Sequence, residues 1–219
     1  MDLYFSPMAC SIATRIALHE TGMGDSTGFH RVALSTKTLD DGSDYYAANP
    51  KGQVPALRLD NGEILTEGTA VLQYVADLAP ESGLAPANGT MERYRLQEWL
   101  NFVGTELHKQ VLAVIFNPHA PAEAKAFARD EVAPVKFEVF EKALADKDFL
   151  VGGRFTVADA YAWFVLSLCG YAGIDLGRWP VLQRYFDALS RRPSVARAAS
   201  EEMALMKPKA VEKSANLNV

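Results

Sequence analysis

Hydrophobic and polar positions follow two different patterns along the chain. Before residue 83, short apolar runs such as Asp2–Phe5 and Phe29–Leu34 alternate with segments of helical spacing, of which Thr69–Leu78 is the last. The Asn61-Gly62 pair separates two further short β runs, and this predicts a hairpin because both turn positions tolerate positive φ. The order of these segments predicts a mixed sheet with βαβαββα connectivity.

After residue 90, apolar positions recur every three or four residues, which is typical of amphipathic helices. One long pattern begins after Thr90 and reaches residue 112, and a second covers residues 122–145 with Pro134 as a break inside it. Thr156 and Asp159 have the spacing of a capping box at the start of an apolar helix. The second part of the chain is therefore predicted to be all-helical.

These patterns predict two domains. Residues 83–90 are small and turn-rich, and the last residues are polar and short of core side chains. We predict an α/β domain at 1–82, a linker at 83–90, an all-helical domain at 91–206 and a flexible tail at 207–219.

Composition excludes several classes of protein. Of the 219 residues, 49% are hydrophobic, which is too many for a disordered chain. The net charge of -5 argues against nucleic acid or an anionic membrane as the main partner. The first residues lack the basic start and apolar stretch of a signal peptide, and no apolar run is long enough to span a membrane. We expect a cytoplasmic protein.

Two cysteines are too few for a disulfide scaffold, which favours a reducing compartment. Cys10 opens the first predicted helix, where unpaired N–H groups and the helix dipole can lower a thiol pKa. This position fits thiol or redox chemistry, but it also fits a small buried side chain. Position 13 is Ala, so Cys10 has no C-x-x-C partner. Cys169 lies in an apolar helix and is predicted to pack in the core.

The segment around Val54-Pro55 stands just before a predicted strand. A cis bond there would turn the chain tightly and leave the Val54 backbone free to pair with an extended peptide. Glu67, at the start of the next helix, would accept an ammonium group, while the free N–H groups of that helix could hold a carboxylate. An ordinary trans proline and an ordinary helix cap remain the alternative interpretation.

Several of these segments together resemble the bacterial beta-class glutathione transferases, over about residues 1–205. They are Cys10 after strand one, Asn49-Pro50-Lys51-Gly52-Gln53-Val54-Pro55, Leu65-Thr66-Glu67-Gly68, Glu98-Trp99-Leu100-Asn101-Phe102, Glu106-Leu107-His108-Lys109 and Phe155-Thr156-Val157-Ala158-Asp159-Ala160. The resemblance implies a thioredoxin-like α/β domain, an all-helical domain, a homodimer and glutathione as cosubstrate. It implies no metal, and no histidine spacing suggests one.

The resemblance also implies roles for individual residues. The glutathione-binding residues would be Cys10, Lys37, Val54, Pro55, Glu67, Gly68, Asn101, Thr105, Glu106 and His108. Val54 would pair with the cysteinyl backbone next to cis-Pro55, Glu67 and Gly68 would hold the γ-glutamyl end, and Lys37 would reach the glycyl carboxylate. Asn101, Thr105 and His108 are spaced to share one helical face. Whether some of these residues come from the partner subunit is left open.

The implied catalytic residues are Cys10, His108 and Lys109, which lie at the glutathione sulfur in the family. The expected second-substrate pocket is apolar and lies between the domains. Its predicted lining is Phe5, Met8, Ile115, Phe116, Trp163, Phe164 and Tyr171. Met8 stands where a small residue is common in the class, so it would narrow this pocket. Phe5 supplies no hydroxyl to activate a thiol.

Three functions fit the sequence. The first is conjugation of glutathione to small hydrophobic electrophiles, a detoxification reaction. The second is thiol–disulfide exchange, in which Cys10 forms a mixed disulfide with glutathione. The third is a non-enzymatic role for the same fold in binding ligands or proteins. The identity of the electrophile and the resting redox state of Cys10 do not follow from the sequence.

Overall fold

The computed structural model describes residues 1–206, and the predicted tail at 207–219 lies outside the described residues. Five strands form one sheet in the order β3-β2-β1-β4-β5. They are β1 (Asp2–Phe5), β2 (Gly28–Ala33), β3 (Thr38–Leu39), β4 (Ala56–Arg58) and β5 (Ile64–Thr66). β1 pairs parallel to β2 and antiparallel to β4, which confirms the predicted mixed sheet.

The predicted hairpin is confirmed at β4 and β5, which pair antiparallel with Leu57 opposite Leu65. Gly62 has a φ of 88°, a value that glycine adopts without steric cost. The sequence pattern did not reveal β3, which has only two residues and pairs at the edge with β2. The short helix predicted at 43–48 is a 3₁₀ turn, Tyr45–Ala47, capped by the Asp44 side chain.

Helices make up most of the remaining described chain. They are α1 (Ile12–Glu20), α2 (Gly68–Leu78), α3 (Met91–Asn101), α4 (Ala113–Ile115), α5 (Ala122–Phe127), α6 (Ala133–Ala143), α7 (Val157–Ser167), α8 (Pro180–Ser190) and α9 (Pro193–Met206). Among the helices described within residues 1–206, none has the length and apolarity needed to cross a membrane.

Two π-helical segments interrupt the long helices that the sequence predicted. Phe102–Leu112 joins α3 to α4, and Ala128–Val132 joins α5 to α6. Pro134 is the second residue of α6, directly after this π-helical segment, and its missing N–H cannot donate to a carbonyl of the preceding turn. The predicted break at Pro134 therefore takes the form of a change in helix type.

One apolar core extends through both halves of the molecule. Leu3 and Ile16 from the α/β half belong to the same buried cluster as Leu107 and Phe164 from the helical half. α1 packs against α7 and α9, so helices from both halves share this boundary. Burial of apolar surface, at roughly 25 cal/mol per Å², holds the two halves together.

The predicted capping box is confirmed at the start of α7. The Asp159 carboxylate accepts hydrogen bonds from the Thr156 N–H at 2.8 Å and from the Thr156 hydroxyl at 2.7 Å. It also accepts from the Leu150 N–H at 2.9 Å and from the Tyr185 hydroxyl at 2.6 Å. The buried Asp159 carboxylate thus connects the loop before α7, α7 itself and α8 through hydrogen bonds.

A buried carboxylate on the last helix also contacts the loop that follows β1. Glu202 is fully buried and accepts from the Met8 N–H at 2.7 Å and from the Arg15 Nε at 3.0 Å. Burial raises the pKa of Glu202 to about 7, although both of these bonds favour the ionised form. Met8 has a φ of 57°, so this bond helps to hold a residue in the left-handed region. The last helix therefore supports the loop that carries Cys10.

Candidate active site

A cavity of about 440 Å³ opens between the α/β half and the helical half. Its wall is mixed, with charged, amide, hydroxyl and apolar side chains from both halves. The lining residues are Met8, Ala9, Cys10, Leu34, Asn49, Lys51, Gln53, Val54, Pro55, Thr66, Glu67, Gly68, Thr69, Leu72, Leu100, Asn101, Gly104, Thr105, His108, Lys109, Tyr161, Phe164 and Leu168.

The Val54–Pro55 peptide bond is cis, as the family resemblance implies, so the alternative of an ordinary trans proline is wrong. The preceding Gln53 carbonyl accepts hydrogen bonds from the Tyr45 hydroxyl and the Asn49 amide, both at 2.7 Å. The Val54 N–H makes no hydrogen bond within residues 1–206. The loop therefore presents a fixed backbone with a free donor to the cavity.

Glu67 and Gly68 lie where the sequence predicted, at the start of α2 and in the cavity wall. The Glu67 carboxylate bonds to the Lys51 ammonium at 2.6 Å, and Lys51 also donates to the Thr66 hydroxyl at 3.1 Å. No role is predicted for Lys51, although it lies inside the segment at 49–55, because the sequence does not reveal that its side chain reaches Glu67. Lys37 is not part of the wall, and its ammonium donates to the Gly52 carbonyl at 2.7 Å.

Cys10 lies in the cavity wall one residue before Ser11, the N-cap of α1. Its Sγ donates to the Val54 carbonyl at 3.1 Å. Burial raises the pKa of the thiol to about 11, although Lys109 and the nearby backbone N–H groups of Cys10 and Ser11 oppose this shift. The expectation of a lowered pKa is therefore wrong, because loss of hydration outweighs the effect of the helix start.

Alkylation of Cys10 should follow this raised pKa. In the ligand-free protein, we expect the rate with iodoacetamide to rise about tenfold per pH unit from neutral pH upward, because only the thiolate reacts. No plateau should be reached below about pH 10 if the pKa is near 11. The rate is measured by mass spectrometry in a Cys169→Ala background, since Cys169 is buried. A plateau near pH 7 would contradict the assignment.

His108 lines the cavity and its Nδ1 lies 2.8 Å from the Tyr161 hydroxyl. Its ring packs edge-on against Phe164, with centroids 5.2 Å apart. Burial lowers the pKa of His108 to about 4, and the neighbouring Lys109 ammonium adds to the effect. His108 is therefore neutral at pH 7. No role is predicted for Tyr161, because it falls within an apolar run typical of core residues.

Asn101 and Thr105 join His108 and Lys109 in the cavity wall, in agreement with the predicted shared face. Glu106 does not line this cavity. Its carboxylate pairs with the Lys136 ammonium at 2.5 Å. A role for Glu106 in glutathione binding remains a prediction.

Only Met8 and Phe164 of the predicted second-substrate residues line the cavity. The prediction is wrong for Phe5, which is buried under the Arg15 guanidinium with 4.4 Å between that group and the ring. It is also wrong for Trp163, which is buried and donates to Ser190 at 2.9 Å.

The remaining three predicted pocket residues, Ile115, Phe116 and Tyr171, are absent from the cavity wall. Tyr171 is 83% exposed, which is unlike a pocket residue. Cys169 is fully buried in the core, as predicted. Within residues 1–206, no three His, Cys, Asp or Glu side chains form a group that could hold a metal ion.

Comparison with known proteins gives consistent matches along the chain. The family models described as "Glutathione S-transferase, N-terminal domain" and "Glutathione S-transferase, C-terminal domain" match residues 7–78 and 106–193. Glutathione S-transferase GstA of Escherichia coli O157:H7 is 41% identical over 92% of this chain and 98% of its own.

Solved structures agree with these matches. A beta-class glutathione S-transferase of Sphingomonas chungbukensis has 42% identity and a TM-score of 0.87, over 92% of this chain and 98% of its own. A sphingomonad glutathione S-transferase complexed with glutathione also has 42% identity and a TM-score of 0.87, over 93% and 99%.

Proposed function

This chain belongs to the glutathione S-transferase family, and on that premise we propose that its cavity binds glutathione for conjugation to small hydrophobic electrophiles. The observation that carries the proposal is the composition of one cavity wall. The cis Val54–Pro55 bond, Glu67 at the start of α2 and neutral His108 all face the same space. The non-enzymatic alternative is not retained, because the relatives are glutathione S-transferases.

The polar groups of the cavity match the ends of an extended tripeptide. The free Val54 N–H would pair with the cysteinyl backbone, as in strand addition. Glu67 would exchange its bond to Lys51 for one to the γ-glutamyl ammonium, which would leave the Lys51 ammonium for the adjacent carboxylate. Lys37 would have to turn from the Gly52 carbonyl to meet the glycyl carboxylate.

The reaction needs the glutathione sulfur as a thiolate, because the thiolate is the nucleophile. Neutral His108 and the protonated Cys10 thiol would each supply a hydrogen bond to it, and the Lys109 ammonium would supply positive charge. The bond from the His108 imidazole to the thiolate would be worth about 1.5–3 kcal/mol, enough to lower a thiol pKa by one unit or more, and the weak S–H donor of Cys10 would add less. Met8 and Phe164 offer apolar surface beside this position for the electrophile.

Replacing Glu67 with alanine should weaken glutathione binding by about ten- to a hundredfold, because a charged hydrogen bond to the ammonium is lost. The KM for glutathione should rise with little change in kcat, since Glu67 is far from the sulfur in this binding mode. Calorimetric titration and initial rates with a chloronitroaromatic electrophile measure the two effects.

The matched control is Glu63→Ala, which removes an exposed carboxylate whose partner is Asn61 in the hairpin turn. The Glu63→Ala variant should leave the affinity for glutathione and the KM for glutathione unchanged. Equal glutathione affinity in the Glu67→Ala and original proteins would refute the proposed binding mode.

Thiol–disulfide exchange is a second proposed activity, and it is favoured by the position of Cys10 Sγ in the cavity wall. The Cys10 thiolate would attack the glutathione sulfur of a mixed disulfide between glutathione and a substrate thiol, forming a protein–glutathione disulfide and releasing the substrate thiolate. A glutathione thiolate would then attack the protein–glutathione disulfide, which restores the Cys10 thiolate and releases glutathione disulfide. The raised pKa of Cys10 makes this step slow in the ligand-free protein at neutral pH.

Assembly and location also remain proposals. We propose a cytoplasmic homodimer, and the exposed apolar side chains of Met91 and Tyr94 on α3 are candidates for coverage by a second copy. Sedimentation velocity measures the oligomeric state directly. The domain boundaries at residues 82 and 91 likewise stay proposals.

A further inference from the structure

The hydrogen bond between His108 and Tyr161 determines which ring nitrogen of the histidine can form a hydrogen bond to a molecule in the cavity. Nδ1 lies 2.8 Å from the Tyr161 hydroxyl, and the two rings meet at 87° with centroids 5.9 Å apart. Phe164 packs on both rings, nearly parallel to Tyr161 and edge-on to His108. This packing restricts rotation of the imidazole.

Nε2 is the remaining polar atom of the His108 ring. It makes no hydrogen bond to the part of the chain that the structure describes, yet it is not among the buried polar atoms that lack a partner. Since His108 lines the cavity, Nε2 is the nitrogen that faces a bound molecule.

Neutral imidazole carries one hydrogen, which can lie on either nitrogen. Burial keeps His108 neutral and also raises the pKa of Tyr161, so the phenol keeps its hydrogen. If Nδ1–H donated to Tyr161, the phenolic hydrogen would have no acceptor within residues 1–206. If the phenol donates to Nδ1, each group is satisfied and Nε2 carries the hydrogen.

We infer that Tyr161 is a positioning residue: its hydroxyl donates to Nδ1 of His108 and so fixes the tautomer whose Nε2–H points into the cavity. The inference rests on the proposed function for its consequence, because the sulfur of bound glutathione is the group that Nε2–H would stabilise. With the opposite tautomer, a lone pair would face the thiolate and repel it.

Tyr161→Phe should therefore change the chemistry at the sulfur, because it removes the hydroxyl that donates to His108 Nδ1. The other ionisable groups of the cavity wall, Cys10, Lys51, Glu67 and Lys109, are all retained in this variant. The ring also keeps its packing on Phe164. We expect the pKa of the bound glutathione thiol to rise by about one unit, which is the effect of one moderate hydrogen bond.

Two measurements test the inference. Nitrogen-15 NMR of histidine-labelled, ligand-free protein reports the His108 tautomer, with His108→Gln used to assign the signal. The Nε2–H form should dominate in the original protein and lose its dominance in Tyr161→Phe. Ultraviolet absorbance of the bound thiolate as a function of pH gives the thiol pKa. At neutral pH, kcat for conjugation should fall about tenfold, with the KM for glutathione little changed.

The control is Tyr185→Phe, which also removes a buried hydroxyl from the helical half but contacts Asp159, away from the cavity. It should move neither the tautomer nor the thiol pKa. An Nδ1–H tautomer in the original protein, or an unchanged thiol pKa in Tyr161→Phe, would overturn the inference. In the double variant Tyr161→Phe, His108→Gln, the loss should not exceed that of His108→Gln alone. Absence of glutathione binding to the original protein would refute the proposed function, while NMR would still decide the tautomer.

Discussion

Alanine at position 10 is expected to remove thiol–disulfide exchange completely while leaving conjugation within about threefold of its original rate. The proposed exchange needs the Cys10 sulfur itself, because that atom would form the mixed disulfide. In the proposed conjugation, the glutathione sulfur would be the nucleophile, and Cys10 would contribute one weak S–H donor beside His108 and Lys109. The two activities are measured on the same sample, with a glutathione mixed disulfide and a chloronitroaromatic electrophile as substrates.

Mass spectrometry tests the predicted role of Cys10 in exchange independently. After exposure to glutathione disulfide, the original protein should gain one glutathione, which a reductant removes, and Cys10→Ala should gain none. Cys169→Ala is the control and should behave like the original protein, since Cys169 is buried in the core. Exchange at the original rate in Cys10→Ala would rule out the proposed role of Cys10.

Asp159→Ala is expected to cause the largest loss of stability, about 4 kcal/mol or more in the free energy of unfolding. Four donors converge on this buried carboxylate, from Leu150, the Thr156 backbone, the Thr156 hydroxyl and Tyr185. Alanine would leave them buried without an acceptor, at a place where α7, α8 and the loop before α7 meet. Urea denaturation followed by circular dichroism measures the loss.

Two further variants keep this prediction decisive even if Asp159→Ala fails to fold. Tyr185→Phe removes one of the four donors and should cost about 1 kcal/mol. Asp187→Ala removes an exposed carboxylate from α8 that accepts a hydrogen bond from Gln183, and it should change stability by less than about 0.5 kcal/mol. A loss below about 1 kcal/mol for Asp159→Ala itself would show that the carboxylate is not a structural link.

The parts of the fold that the sequence predicted well are those with a local physical cause. The Asn61-Gly62 hairpin and the Thr156–Asp159 capping box depend on residues a few positions apart, and both are present. β3 and the π-helical segments were missed because neither leaves a periodic pattern. A two-residue strand is held by its neighbour in the sheet, and a π-helix arises from packing within a helical sequence.

In the candidate site too, properties that depend on residues distant in the sequence could not be predicted. The position of Cys10 was predictable, but its pKa was not, because burial depends on side chains far along the sequence. Lys51 lies inside the segment at 49–55, but that segment does not reveal its pairing with Glu67, and Tyr161 lacks a motif altogether. Phe5 and Trp163 were assigned to a pocket because an aromatic residue in the core and one in a cavity look alike in a sequence.

The hydrogen bond that the Met8 N–H donates to Glu202 makes the loop that carries Cys10 depend on the last helix. The α/β half does not supply every hydrogen-bond partner of the loop that carries Cys10, since the acceptor for the Met8 N–H comes from α9. If α9 undocks, Met8 loses the bond that helps to hold its left-handed backbone, and the cavity loses its shape. We therefore expect the cavity to keep its shape only while α9 is docked, so the α/β half alone should not form it.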